Sequence, residues 1–362
     1  MGLLSKRAGI RRNRARRRGV FGIMASTKGT VMPDITLRLH KDMLVLSAPL
    51  TAVLARQGVD VGRDLEYLNL VEPEAVVDAL RLESLAGAKC LVTTTEGIAP
   101  ARLAHHGMED RASEVAHAAL DAVAELKPQH VLAEIGPCGL PLDGSSAASL
   151  NENRSQYARA ARAFEGGTFD AYFLEGFTSA VDLKCALMGV RQMSDHPAFA
   201  SIQVEPDGLL ADGRTTLEEA VAVMEEFGAC VAGFTTGAPE DEAVALCERA
   251  VQACSLPVLV QLRVASHAPR QGDVTPENPY FCPDTLVGAA VRLRSAGAQF
   301  LRAVGDVTPA YTGALAATVD GLDVARRCDE DRTSVSGEVE PSLEERLAAA
   351  RESVAAALAE GR

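Results

Sequence analysis

The sequence predicts an α/β fold, one (β/α)8 barrel of the TIM type over residues 42–325, and three observations carry that expectation. Eight short apolar runs alternate with helical stretches, as buried parallel strands and their crossover helices would. Apolar residues make up 47% of the chain, yet aromatics are only 4% and Trp is absent, so the core must be Ala, Val and Leu packed closely between helices and sheet. No Gly-x-Gly-x-x-Gly turn follows the first run, which argues against a dinucleotide-binding open sheet.

The runs come in order. "MLVLSAP" (43–49) is the first strand, followed by "KCLVTTT" (89–95), "HVLAEIG" (130–136) and "DAYFLEG" (170–176). "FASIQVE" (199–205), "CVAGFTT" (230–236), "PVLVQLR" (257–263) and "QFLRAVG" (299–305) complete the set. Between them "SEVAHAALDAVAEL", "QYARAARAFEGG", "TTLEEAVAVMEEFG" and "PEDEAVALCERAVQAC" place apolar residues three and four apart, with Gly near several ends, which is the pattern of amphipathic helices.

The two ends differ from this body. Eight basic residues and no acids fall in the first 23 positions, and residues 1–41 read as a basic flexible extension with a lead-in to the barrel. Without those eight, 28 basic residues face 49 acidic ones, a net charge of −21, so the body repels nucleic acid. Residues 326–362 read as a polar linker and a terminal helix. The eight cysteines are scattered through apolar runs in a chain too long to need disulfide staples, so they are expected to be reduced. No apolar run reaches the roughly 18 residues of a membrane span, and a cytoplasmic location is expected.

In such a barrel the working face is the C-terminal end of the strands. The residues there are Ser47, Thr93 to Glu96, Gly136 to Gly139, Glu175 with Gly176, Glu205, Thr235 with Thr236, Arg263 and Asp306. Glu175, in "FLEGF", is placed at the mouth, where a carboxylate binds an ammonium group, acts as a base, or is merely a solvated strand end. "EIGPCGLP" (134–141) brings two glycines, two prolines and Cys138 into one loop, which lets the backbone approach a ligand; Cys138 is the most site-like thiol of the chain, or else a structural loop residue.

The order "LEGFTSAVDLKCAL", "ADGRTTLEEAVAVM", "AGFTTGAPEDE" and "VGDVTPAYTGALAATV" resembles the homocysteine S-methyltransferase family, which includes the homocysteine-binding barrel of cobalamin-dependent methionine synthase. "MLVLSAPLTAVLARQG", "VTTTEG" and "IGPCG" take the places of three further landmarks, so the resemblance spans about residues 42–325. It implies methyl transfer to a thiol such as homocysteine. It also implies a substrate pocket at Glu175, Ser47, Thr94, Gly136, Cys138 and Thr236, with Glu175 at the amino-acid end. The methyl donor would be methylcobalamin, a methylated folate or a sulfonium compound. The family holds zinc through three cysteines, which here fall on Thr236, Val304 and Gly305, so that zinc is expected to be absent; neither an alkyl chain nor a hydroxyl replaces a thiolate. Ser47 stands where the family opens with Asp.

Three readings stay open at this level. One is an active methyltransferase with a changed acceptor or a metal on other residues such as Cys138, His267 or Cys282. A second is a non-catalytic amino-acid-binding subunit beside a corrinoid- or folate-binding partner protein. The third is an unrelated barrel, such as a pterin-binding methyltransferase, alike in fold alone.

Overall fold

The structure, a computed structural model, describes residues 35–61, 65–266 and 272–319. The basic arm, the polar linker and the terminal helix read from the sequence lie outside these residues. All eight anticipated strands form: β1 (Leu44–Val45), β2 (Cys90–Val92), β3 (His130–Ile135), β4 (Ala171–Phe177), β5 (Ala198–Gln203), β6 (Val231–Thr236), β7 (Val258–Val264) and β8 (Ala298–Gly305). They are parallel and pair in the order β1-β8-β7-β6-β5-β4-β3-β2. The ring closes between β1 and β2 through a Leu46–Cys90 bridge, where the Ser47 amide donates to the Cys90 carbonyl at 2.9 Å and the Lys89 amide to Val45 at 3.0 Å. This is a (β/α)8 barrel.

Helices fill the crossovers. α1 (Thr51–Arg56), α2 (Leu65–Val71) and α3 (Pro73–Ala86) link β1 to β2, and α4 (Pro100–Leu103) with α5 (Ala112–Glu125) link β2 to β3. α6 (Ala147–Arg162), α7 (Ala180–Met193), α8 (Leu217–Glu226), α9 (Glu240–Ala253), α10 (Thr285–Ser295) and α11 (Pro309–Val319) follow the later strands one by one. Local chemistry sets their starts: Thr216 and Glu219 form a reciprocal capping box on α8, while Ser146 and Ser179 cap α6 and α7.

The residues inside the ring follow the two-residue period of a strand. Leu44, Leu46, Cys90, Val92, Leu132, Ala171, Phe173, Phe199, Val231, Leu259 and Phe300 form one apolar interior cluster. Ile35, in the short 3-10 turn Ile35–Arg38, is fully buried and joins that cluster, so the last part of the lead-in belongs to the barrel. Two residues further along, the same inward register becomes polar: Glu134, Glu175, Ser201, Thr235, Gln261 and Arg302. The floor is dry and the mouth is charged.

The helical layer packs against the outer face of the strands at close quarters. Gly189 on α7 lets that helix touch α6, since a Cβ there would lie 2.6 Å from the Arg154 carbonyl oxygen and 2.8 Å from Tyr157 Cβ. Gly189→Ala should therefore destabilise the fold by about 1–3 kcal/mol, against the small gain that Ala normally gives a helix interior. Urea denaturation of the two proteins would read this, and an unchanged or raised midpoint would show that the two helices are free to separate.

Candidate active site

Arg302, on β8, is 1% exposed and sits inside the ring. Its Nε donates to the Ser47 carbonyl at 2.8 Å, its Nη1 donates to Gln261 Oε1 at 3.3 Å and lies 3.5 Å from Glu134 Oε1, and its guanidinium carbon is 5.1 Å from the centre of the Phe173 ring. A guanidinium cannot shed its proton in such a place, so these partners are what make its burial tolerable.

The bond from Arg302 fixes the Gln261 amide with its oxygen towards the guanidinium, so its nitrogen must face the other way. There Nε2 donates to Glu175 Oε2 at 2.6 Å and lies 2.7 Å from Ser201 Oγ and 2.9 Å from Thr235 Oγ1. Glu175 is thus oriented from beneath. Burial pushes its pKa up, while Arg302 and the bonds from Gln261 and Ser201 pull it back.

Above this layer lies a cavity of about 440 Å³ at the C-terminal ends of the strands. Its wall includes Glu134, Glu175, Thr94, Glu96, Arg263 and Arg302, with Val304 and Gly305 beside them. Glu134 is 9% exposed and faces this space, and its carboxylate accepts no hydrogen bond among the described residues. Burial drives its pKa to about 8; Arg302 opposes this, and Glu96, Glu175 and Glu66 add to it. Thr94 Oγ1 is also buried in the cavity wall with no hydrogen-bond partner.

The other residues singled out in the sequence do structural work around the cavity without lining it. Ser47 Oγ accepts from the Val92 amide at 2.9 Å, and its carbonyl holds Arg302. The Gly136 amide donates to the Glu96 carbonyl at 2.7 Å, and a side chain at 136 would overlap Glu96. The Cys138 thiol is buried and donates to Asn153 Oδ1 at 3.0 Å, its amide donates to the Tyr157 hydroxyl at 3.0 Å, and burial raises its pKa. Thr236 Oγ1 accepts from the Ala238 amide at 3.1 Å. Glu83, fully buried on α3, braces the turn after β1 by accepting from the Ala48 amide at 2.9 Å and the Thr312 hydroxyl at 2.6 Å.

Residues 45–305 match the family model described as homocysteine S-methyltransferase, which is well over half of the chain. The chain belongs to the homocysteine S-methyltransferase family. The family is one of methyl transfer to a homocysteine-like thiol. Among solved structures, the oxidised form of the Escherichia coli homocysteine methyltransferase MmuM is 18% identical with a TM-score of 0.63, over 78% of this chain and 99% of that one. The metallated form is also 18% identical, with a TM-score of 0.62 over 76% and 96% of the two chains, and at this identity the likeness is one of fold. No curated protein sequence matches the chain.

The resemblance puts the family's zinc donors at 236, 304 and 305, and the residues at those places do not fit the ion. The Thr236 hydroxyl is engaged by Ala238, and Val304 has no donor atom. Gly305 has φ +90°, and a Cβ on it would overlap the Val264 carbonyl oxygen, so even a cysteine at this place would have to displace backbone. Among the described residues no group of three or more His, Cys, Asp or Glu could hold a metal ion. Cys282 lies in the segment before α10, and His267 lies outside the described residues.

Glu134, Gln261, Ser201 and Arg302 were not singled out in the sequence, because they lie inside the runs and not after them. Counting back in twos from Gly136, Glu205, Arg263 and Val304 reaches Glu134, Ser201, Gln261 and Arg302.

Two outcomes follow for the charged layer. Arg302→Leu leaves the Ser47 carbonyl and Gln261 Oε1 buried without their donor, and should cost about 2–5 kcal/mol at pH 7 by urea denaturation; a loss below about 1 kcal/mol would mean that the layer is not desolvated. The carboxyl of Glu134 has its pKa raised from 4.5 to about 8 by folding, so its stabilising contribution is full below pH 4.5 and disappears as pH rises through about 8. Compared with Glu134→Gln, the natural protein should therefore lose stability steadily between those limits and then level off; parallel stability curves would refute the shift.

Proposed function

We propose that the protein methylates the thiol of homocysteine or a closely related thiol amino acid, and does so without the zinc site of its family. Glu175 carries this reading: a strand-end carboxylate in an amino-acid-sized cavity, held in place by Gln261 at 2.6 Å, is a receptor for an ammonium group. Arg302 is already engaged by Ser47 and Gln261, whereas Arg263 lines the cavity and makes no ion pair among the described residues. An amino acid lying between Glu175 and Arg263 has both of its charges answered.

The chemistry that remains is the thiol. A free thiol has a pKa near 8.5 and is about 3% ionised at pH 7, so without a metal the chain's own groups must capture and activate it. Holding the sulfur within attack distance of the donor's methyl group supplies the larger part of the rate. The donor is a methylcobalamin, a methylated folate or a sulfonium compound, and a corrinoid or folate would reach the mouth on a partner protein. Placing the protein in the cytoplasm agrees with free thiols and with the lack, among the described residues, of any helix long and apolar enough to cross a membrane.

Calorimetric titration with homocysteine, with methionine and with a thiol lacking the amino group tests the pocket. The first two should bind and the third should not, and Glu175→Gln should weaken binding by roughly 10- to 150-fold, the loss of one charge-assisted hydrogen bond. Equal binding by the variant would reduce Glu175 to a solvated strand end. Methyl-transfer assays with the three donor classes then test the reaction; binding with no transfer from any donor would favour the amino-acid-binding subunit, for which the missing cysteines at 236, 304 and 305 speak.

A further inference from the structure

The cavity contains two carboxylates on the inward register of neighbouring strands, and their surroundings differ. Glu175 is tied from below by Gln261 and is thereby set for a fixed cation. Glu134 is as deeply placed but receives no hydrogen bond among the described residues, its nearest cation being Arg302 Nη1 at 3.5 Å, and what exposure it has opens on the cavity. A buried carboxylate that accepts no hydrogen bond, stands at 3.5 Å from its one cation and faces a ligand space is an expensive arrangement for a fold unless a ligand completes it.

Resting on the reading above that a thiol amino acid is methylated here, we propose that Glu134 is the proton acceptor that activates the acceptor thiol, in the place that the family gives to a metal. The step balances within the site. The S–H bond breaks, its proton passes to a Glu134 carboxylate oxygen, and the electron pair stays on sulfur. With a sulfonium donor, that sulfur forms a bond to the methyl carbon while the donor's carbon–sulfur bond breaks, and its electron pair leaves with the donor as a neutral thioether. Glu134 then returns its proton to water.

The charges around Glu134 suit it to this work. Arg302 faces it from β8, Glu175 from β4, Glu96 from the loop after β2 and Glu66 from α2. The acids and the burial raise its proton affinity towards that of a thiol, and the single cation keeps an ionised form accessible. A general base is most effective when its affinity for the proton is close to that of the group it serves. The ammonium of the substrate, arriving at Glu175, adds a second positive charge to the cavity and favours ionised Glu134 at the moment when it is needed.

The test uses the full chain with homocysteine as acceptor and S-adenosylmethionine or S-methylmethionine as the sulfonium probe, followed from pH 6 to 10. In the natural protein kcat/KM should climb with pH and level off at about 8, as Glu134 of the free protein ionises, and kcat should level off lower, because the bound ammonium favours the ionised form. Glu134→Gln should lower turnover by roughly 10²- to 10⁴-fold at pH 7, and its rate should go on rising above pH 8 as thiolate forms without help. Methionine, which has no proton to give, should bind Glu134→Gln within about threefold of the natural protein, which separates a lost base from a damaged pocket. Glu134→Asp, which keeps the carboxylate, should recover part of the rate. Turnover by Glu134→Gln within threefold of the natural protein, or an unaltered pH profile, overturns the assignment and leaves the proposed function standing. No methyl transfer by the natural protein from these or from the corrinoid and folate donors overturns both.

Discussion

A positive charge buried inside a parallel barrel organises this molecule. Arg302 takes its place among the side chains that would otherwise continue the apolar filling of the ring, and everything polar near it is arranged in answer. The Ser47 carbonyl, at the seam where β1 meets β2, accepts one of its hydrogens, so ring closure and charge burial are joined at one residue. Gln261 accepts another and passes the orientation on to Glu175, Ser201 and Thr235. Glu134 stands 3.5 Å from the guanidinium, a separation too long for a hydrogen bond. The site is therefore held in shape by the same contacts that let the guanidinium stay dry.

The fold was legible in the sequence because it is a matter of repetition. Eight apolar runs bounded by Gly, Pro, Thr or charge match the eight strands within a few residues, since strands buried on both faces have little choice of composition. The site was legible only where it lies at or just past the C-terminal end of an apolar run, as Glu175, Thr94 and Arg263 do. A polar residue within a run, such as Arg302 in "QFLRAVG" or Glu134 in "HVLAEIG", has no mark in one dimension that tells the interior of the ring from its outer face. Ser47, Cys138 and Thr236 show the converse: hydroxyls and thiols at strand ends look available, yet here each answers a neighbouring amide or side chain.

Membership of a metal-using family and the polar chemistry of this barrel sit in tension, and the tension has a physical form. A zinc ion both holds and ionises a thiol, with a charge of two that dominates any cavity it enters. Here the mouth instead offers distributed single charges: three carboxylates, Glu96, Glu134 and Glu175, against two guanidiniums, Arg263 and Arg302. On the proposed function, such a set meets a zwitterion by its two ends, where zinc would meet it by its sulfur.

Gly305 adds a consequence for the history of the site. Its left-handed backbone lies so close to the Val264 carbonyl that a Cβ would overlap that oxygen. A single codon change that put cysteine there would meet strain before it met any metal, and a lone new thiol among Thr236 and Val304 would bring no ligand set to offset it. A thiolate at this place would need the strand end to be rebuilt first. The β7–β8 edge thus sets a backbone condition that any donor at 305 meets before it meets a metal.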